Sequence, residues 1–313
     1  MMDIASRHAP ASKEDSWTKQ GFAKRALYII GTILFCASLI YVGVFTARNW
    51  PDESELAHFR AAPLLAAAAL YALTQFSSSA AWIVGVAGLG QTIPLKSGIK
   101  INFSAQIGKY LPGNVAHYFA RAALASTAGV SISSSFIATI MEILATVLAG
   151  TTAAVVSMIF DPAPLQAVHK TITQPAPMIA AFGMLGACAI LVLMRVLKIP
   201  AGALLASSAC LMVSFVLVGL SFFAVLSAAA PGVLSPIAVI GMFAVAWTAG
   251  YVIPGAPAGL GVREAILIAW LAPVVGGPVA LASVMVHRLV SAAIDTLCAL
   301  TGYAWLRAEG HKL

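Results

Sequence analysis

Charge is what this sequence has least of. Only 9% of its 313 residues are Asp, Glu, Lys or Arg, against about 25% in ordinary soluble domains. A chain so poor in charge, with 60% hydrophobic residues and a mean hydropathy of +0.93, cannot cover its own surface in water. Cysteine is scarce as well. Cys36, Cys188, Cys210 and Cys298 all fall in apolar stretches and form no C-x-x-C pair, so they read as small buried residues rather than metal ligands or a disulfide framework. No HExxH, GxSxG or P-loop pattern occurs, so the common hydrolase, metalloprotease and nucleotide-binding sites are not expected. The reading is a non-enzyme with no cofactor and no metal. Alternating ten-residue segments are missing too, which argues against a transmembrane β-barrel.

What is present is long apolar runs. A transmembrane helix needs about 20 consecutive apolar residues. Full spans are expected near 27–47, 62–88, 132–159, 177–197, 202–229, 235–253 and 279–306. In hydrocarbon every backbone N–H and C=O must be paired internally, so the spans must be helices. The expected fold class is an all-α polytopic membrane protein with about seven, or eight, transmembrane helices plus two Pro-Gly-broken re-entrant segments related by an internal repeat. Residues 1–25 are a cytoplasmic leader, 26–307 a single membrane domain (half one about 60–160, half two about 202–307), and 308–313 a tail.

The net charge of +7 follows the positive-inside rule better than it suggests nucleic acid. The leader carries Arg7, Lys13, Lys19, Lys24 and Arg25, and no cleavable apolar region stands apart from the first span. The 48–61 loop, with Asp52, Glu53 and Glu55 against Arg48 and Arg60, suits the outside. Lys96 and Lys100 in 89–101 suit the inside, the neutral 160–176 loop the outside, and Arg195 and Lys198 the inside. Seven spans leave the tail, with Arg307 and Lys312, on the wrong side. An eighth crossing near 254–273 would repair the conflict, and both counts stay open on sequence.

Two stretches break the apolar pattern. Tyr110-Leu111-Pro112-Gly113 is followed by Arg121, and Pro254-Gly255 by Arg263. Each Arg lies nine positions after its Pro, and the copies are offset by 142 residues. Proline removes a donor and glycine admits conformations other residues avoid, so a Pro-Gly step ends one helix and lets another begin. The new helix opens with free N–H groups and the positive end of its dipole, which favour an anion. An arginine further along adds a permanent charge with bidentate geometry for phosphate. Paired interrupted segments in two halves are the sequence pointer to a transporter's binding site.

Gly108-Lys109-Tyr110-Leu111-Pro112-Gly113 and Pro254-Gly255-Ala256-Pro257-Ala258-Gly259-Leu260-Gly261-Val262-Arg263-Glu264-Ala265 resemble the two signature segments of the flippase-like membrane domain of bacterial lysylphosphatidylglycerol synthases. The resemblance covers roughly 20–310. It implies movement of an aminoacylated or glycosylated phospholipid between leaflets of the bacterial cytoplasmic membrane. It also implies a membrane lipid with an anionic headgroup as partner, and a lipid-modifying synthase as a second candidate partner. No counterpart of the soluble aminoacyl-transferase domain is expected in this chain. Asn114 departs from the basic or aromatic residue that often follows Pro-Gly in the family.

The expected substrate-binding set is Lys109, Pro112, Gly113, Asn114, Arg121, Pro254, Gly255, Gly259, Gly261, Arg263 and Glu264. An ionisable residue inside a membrane defaults to a functional hypothesis. Arg263 and Glu264 are adjacent, so on a helix they point about 100° apart and are expected not to pair; Arg288 is the candidate partner of Glu264. Glu142 and Asp295 fall mid-span, as proton carriers or as structural pairs of Arg121, Arg263 or Arg288. His287 could titrate, and Arg288 and Asp295 share a helical face. Trp50, Trp247, Trp270, Trp305 and Tyr303 fit interfacial belts or lipid-facing positions and carry no expected site role. Beside a transporter, the sequence leaves open an intramembrane enzyme acting on a lipid-linked substrate and a scaffold for a glycolipid pathway.

Overall fold

A computed structural model of the chain describes residues 33, 36–52, 59–110, 116–162, 194–253 and 259–309. Among them there are helices and no strand. In chain order they are α1 (Cys36–Arg48), α2 (Ala61–Gly88), α3 (Leu95–Ala105) running into a 3₁₀ turn (Gln106–Tyr110), α4 (Ala116–Thr127), α5 (Ile132–Phe160), α6 (Ala201–Ala229), α7 (Pro236–Val252), α8 (Val262–Val275) and α9 (Gly277–Ala308).

Four of these helices, α2, α5, α6 and α9, are long and apolar enough to cross a membrane, with 28, 29, 29 and 32 residues. At 1.5 Å per residue the shortest is about 42 Å long, more than the roughly 30 Å of hydrocarbon. The chain is a membrane-embedded helical protein. Its outer surface agrees, since Leu65, Ile159, Phe160 and Leu289 are each at least 70% exposed. The expected span 235–253 is α7 with 17 residues, and the expected crossing at 254–273 is α8 with 14; each is shorter than the roughly 20 residues a crossing takes. The 177–197 span lies outside the described residues apart from its last four positions, and the first span is described mainly from Cys36 onward.

Small residues let these helices approach, as packing in lipid requires. A Cβ on Gly219 of α6 would lie 2.8 Å from the Ile240 Cα of α7, and one on Gly302 of α9 would lie 2.6 Å from the Ser104 nitrogen of α3. Serines tie α2 to α6 directly. Ser221 Oγ donates to the Ala67 carbonyl at 2.8 Å, Ser77 Oγ to the Cys210 carbonyl at 2.5 Å and Ser207 Oγ to the Ala81 carbonyl at 2.9 Å. As the α2 number rises, the α6 number falls by nearly the same amount, so the two helices run antiparallel.

Contacts between chain segments define the two ends of the bundle. At one end the Ser131 N–H, capping α5, donates to Gln91 Oε1 at 3.3 Å. Lys100 pairs with Glu309, and Lys96 sits 5.2 Å from the Trp305 ring. At the other end Ser235, which caps α7 by accepting from the Ala238 N–H at 3.0 Å, donates to Asp161 Oδ2 at 2.5 Å. A Cβ on Gly277, where α9 begins, would meet Asn49 just after α1. The segment before α3 and the start of α5 thus meet at one end, and the end of α5 meets the start of α7 at the other.

Candidate functional site

The described residues on either side of each break come into contact at a glycine. A Cβ on Gly108 would lie 2.7 Å from the His117 nitrogen, and one on Gly250 would lie 3.2 Å from the Gly259 Cα. Gly250 and Gly259 are each 142 positions beyond Gly108 and His117. Residues 111–115 and 254–258, with Pro112, Gly113, Asn114, Pro254 and Gly255, lie outside the described residues. The arms are also tied to each other, with the Tyr118 and Tyr251 hydroxyls 2.9 Å apart.

Between the arms lies a cavity of about 180 Å³ lined from both segments, with Lys109 and Arg121 from the first and Gly259 and Arg263 from the second. Arg288 and Asp295 of α9 and Glu142 of α5 complete its charged wall. The two arginines have parallel surroundings. Arg121, 2% exposed, lies with its guanidinium 5.0 Å from the Trp82 ring centre and 5.6 Å from Tyr118. Arg263, 4% exposed, lies 5.0 Å from Trp247 and 5.7 Å from Phe243. An aromatic face stabilises a cation that has lost its water, and each of these two buried guanidiniums has two such rings beside it.

Each cation holds a carboxylate. Arg121 Nη2 is 2.5 Å from Glu142 Oε2 and donates to Thr139 Oγ1 at 2.9 Å; Nη1 donates to Asn102 Oδ1 at 3.4 Å. Its Nε is buried with no hydrogen-bond partner. Lys109 Nζ is 2.6 Å from Asp295 Oδ2. Asp295 is fully buried and also accepts from Tyr110 at 2.5 Å, from Gln75 at 3.0 Å and from Tyr71 at 3.3 Å. Arg263 Nη2 donates to Glu264 Oε1 at 3.1 Å, and Arg288 Nη1 lies 3.7 Å from the same oxygen.

The Arg263–Glu264 contact corrects the expectation that these neighbours point too far apart to meet. Glu264 sits in the first turn of α8, and its other oxygen accepts from the Gly261 N–H at 2.7 Å. Gly261 has φ +80°, a left-handed conformation glycine adopts without strain. The carboxylate is thereby drawn back over the helix start, within reach of the long Arg263 side chain. Gly261 lies against Ser38 and Leu39 of α1. His287 is 2% exposed, stands edge-on to Tyr71, Phe222 and Phe243, and has Nε2 3.3 Å from Ser221 Oγ; it packs α9 against α2 and α6 and does not line the cavity.

Trp247 is a second correction. Its ring lies on Arg263, and it lines the cavity, where an interfacial or lipid-facing position with no site role was expected. Tyr71, Thr74 and Gln75, which also line it, went unnoticed in the sequence. Their signal was a polar cluster in the otherwise apolar α2.

Comparison with protein-family models and with curated proteins finds no match to this chain.

Proposed function

We propose that the chain is a lipid transporter, a flippase that moves a phosphate-bearing, amino- or glyco-modified lipid between the leaflets of the bacterial cytoplasmic membrane. The observation that carries the reading is that Arg121 and Arg263, one from each interrupted segment, wall a single cavity. Two guanidiniums on one small cavity are a receptor for phosphate oxygens. The acyl chains would remain in lipid.

The topology that goes with this reading is six full crossings (27–47, α2, α5, 177–197, α6 and α9) and two re-entrant hairpins, α3–α4 and α7–α8, entering from opposite faces. Several observations support it. The arms of each hairpin begin and end at one end of the bundle. Depth can be counted along the long helices at 1.5 Å per residue. Glu142, which meets Arg121, is about 15 Å from the start of α5, and Asp295, which meets Lys109, is about 21 Å from Glu309. Both lie near the middle of a roughly 30 Å core. The antiparallel α2 and α6 fit too, since a full crossing in place of the first hairpin would make them parallel. Shifting by 142 carries α2, α3, α4 and α5 onto α6, α7, α8 and α9 to within a few residues, the pattern of an inverted repeat. On this reading 235–253 and 254–273 are two arms of one hairpin, and Arg307 and Lys312 join the leader on the cytoplasmic side.

Mass spectrometry of lipid that co-purifies with the protein tests the reading. Wild type should retain a phosphate-bearing lipid that Arg263→Ala loses. Equal lipid on both proteins, or none on either, would contradict it.

A further inference from the structure

The carboxylates at the cavity depend on their cations unequally. Glu142 Oε2 is paired with Arg121 at 2.5 Å and is otherwise without a hydrogen bond. Glu264 is held by Arg263, by Arg288 and by the Gly261 N–H. Asp295 pairs with Lys109, but three neutral donors also reach it. Tyr110 donates to Oδ2, Gln75 to Oδ1, and Tyr71 lies 3.3 Å from both oxygens. Taking Lys109 away therefore leaves Asp295 hydrogen-bonded on both oxygens, whereas taking Arg121 away leaves Glu142 without its cation. A buried carboxylate keeps its charge at tolerable cost only when it is paired or well hydrogen-bonded.

The cations differ in the same direction. Arg121 and Arg263 each lie beside two aromatic rings, with side chains only 3% and 5% exposed. Arg121 is tied further to Thr139 and Asn102. Lys109 is a compact ammonium on a flexible stem, and its side chain is 19% exposed. Of these three cavity cations it is the one whose present partner loses least by its departure and whose own side chain is least confined.

Resting on the lipid-transport reading and deepening it, we infer that Lys109 is the exchangeable cation of the site: it leaves Asp295 for a phosphate oxygen when lipid binds and returns when lipid leaves. The arginines stay in place and offer N–H groups to the same phosphate. Tyr110, Gln75 and Tyr71 hold the Asp295 carboxylate meanwhile. The exchange also opens the tie between the 3₁₀ turn after α3 and α9, so occupancy of the cavity releases one segment from the other. Asp295 is then a positioning residue that competes with the lipid for one ammonium.

The test measures binding of fluorescent phosphatidylglycerol to the detergent-solubilised full chain, and its transbilayer movement in reconstituted vesicles. Asp295→Asn keeps polar atoms for Tyr110, Gln75 and Tyr71 but no longer holds the ammonium. It should bind the probe about tenfold tighter, the low end of what a close charge pair is worth, and move it more slowly than wild type. In a Lys109→Gln background the same substitution should leave affinity unchanged, since it acts only through Lys109. Tyr110→Phe takes one donor from Asp295 and strengthens its hold on Lys109. It should weaken binding, again only while Lys109 is present, and it decides the matter if Asp295→Asn does not fold. Unchanged or weaker binding in Asp295→Asn, movement at the wild-type rate or faster, equal tightening in both backgrounds, or unchanged binding in Tyr110→Phe overturns the exchange while lipid binding stands. If the probe does not bind wild type at all, the lipid reading falls and takes the exchange with it.

Discussion

Lys109, in the 3₁₀ turn after α3, places its ammonium 2.6 Å from Asp295, a fully buried carboxylate on the last long helix, so a charge pair ties this segment to α9. Tyr110, Tyr71 and Gln75 converge on the same carboxylate. Removing one partner of a buried pair leaves the other uncompensated, at a cost of about 3 kcal/mol or more, whereas replacing both by apolar groups can be close to neutral. Asp295→Ala should therefore lower the melting temperature in detergent markedly, and Lys109→Met combined with Asp295→Leu should recover much of the loss. Equal destabilisation by the single and double variants would show that the ion pair is not what holds the 3₁₀ turn after α3 to α9.

Gly108 and Gly250 differ in how tightly they are gripped. At Gly108 an added Cβ meets backbone at 2.7 Å, but at Gly250 the nearest backbone atom is 3.2 Å away. Gly108→Ala forces the arms apart and should cost about 1–3 kcal/mol, as overpacking does. Gly250→Ala should cost clearly less. Thermal unfolding of the two variants ranks them, and the reverse order would contradict the arm geometry.

Sidedness is open to direct labelling. With native cysteines replaced, Thr92→Cys and Ala308→Cys should react with a membrane-impermeant maleimide from one side, and Val233→Cys from the other. This follows from the Lys100–Glu309 and Asp161–Ser235 contacts at opposite ends. Labelling of 308 together with 233 would restore the odd number of crossings.

Arg263 stacks on Trp247 and Phe243, a geometry a compact ammonium reproduces poorly. Arg263→Lys keeps the charge but loses the planar fork. It should retain lipid with roughly tenfold weaker affinity, a loss of about 1.4 kcal/mol, while Arg263→Ala retains none. Affinity equal to wild type in Arg263→Lys would mean that charge alone does the holding.

How much of this could be read beforehand differs from residue to residue. The Pro-Gly steps with an arginine nine positions on stood out because they are charged interruptions in apolar sequence, and Lys109, Arg121 and Arg263 do share one cavity. Where the described long helices stop was largely legible: the span expected at 235–253 is a helix that ends at Val252, just before Pro254-Gly255. What an apolar run does not tell is which segments meet at one end of the bundle, as Gln91 and Ser131 do, and Asp161 and Ser235. Pairing was legible only in part. Glu142 was among the expected partners of Arg121, but Asp295 faces Lys109 rather than Arg288, because seven positions along one helix say which residues share a face and nothing about what an opposing helix brings to it. The Arg263–Glu264 contact escaped a rule about Cβ directions because a backbone N–H, that of Gly261, redirects the carboxylate.

The central claim is that Arg121 and Arg263 act together on one lipid. It is tested most directly by transbilayer movement of fluorescent phosphatidylglycerol in reconstituted vesicles, read by the fraction of label accessible to an external quencher over time. The account predicts movement with the wild-type chain and none above protein-free vesicles with either Arg121→Ala or Arg263→Ala, with both variants still folded by circular dichroism. Wild-type rates in both variants would contradict it.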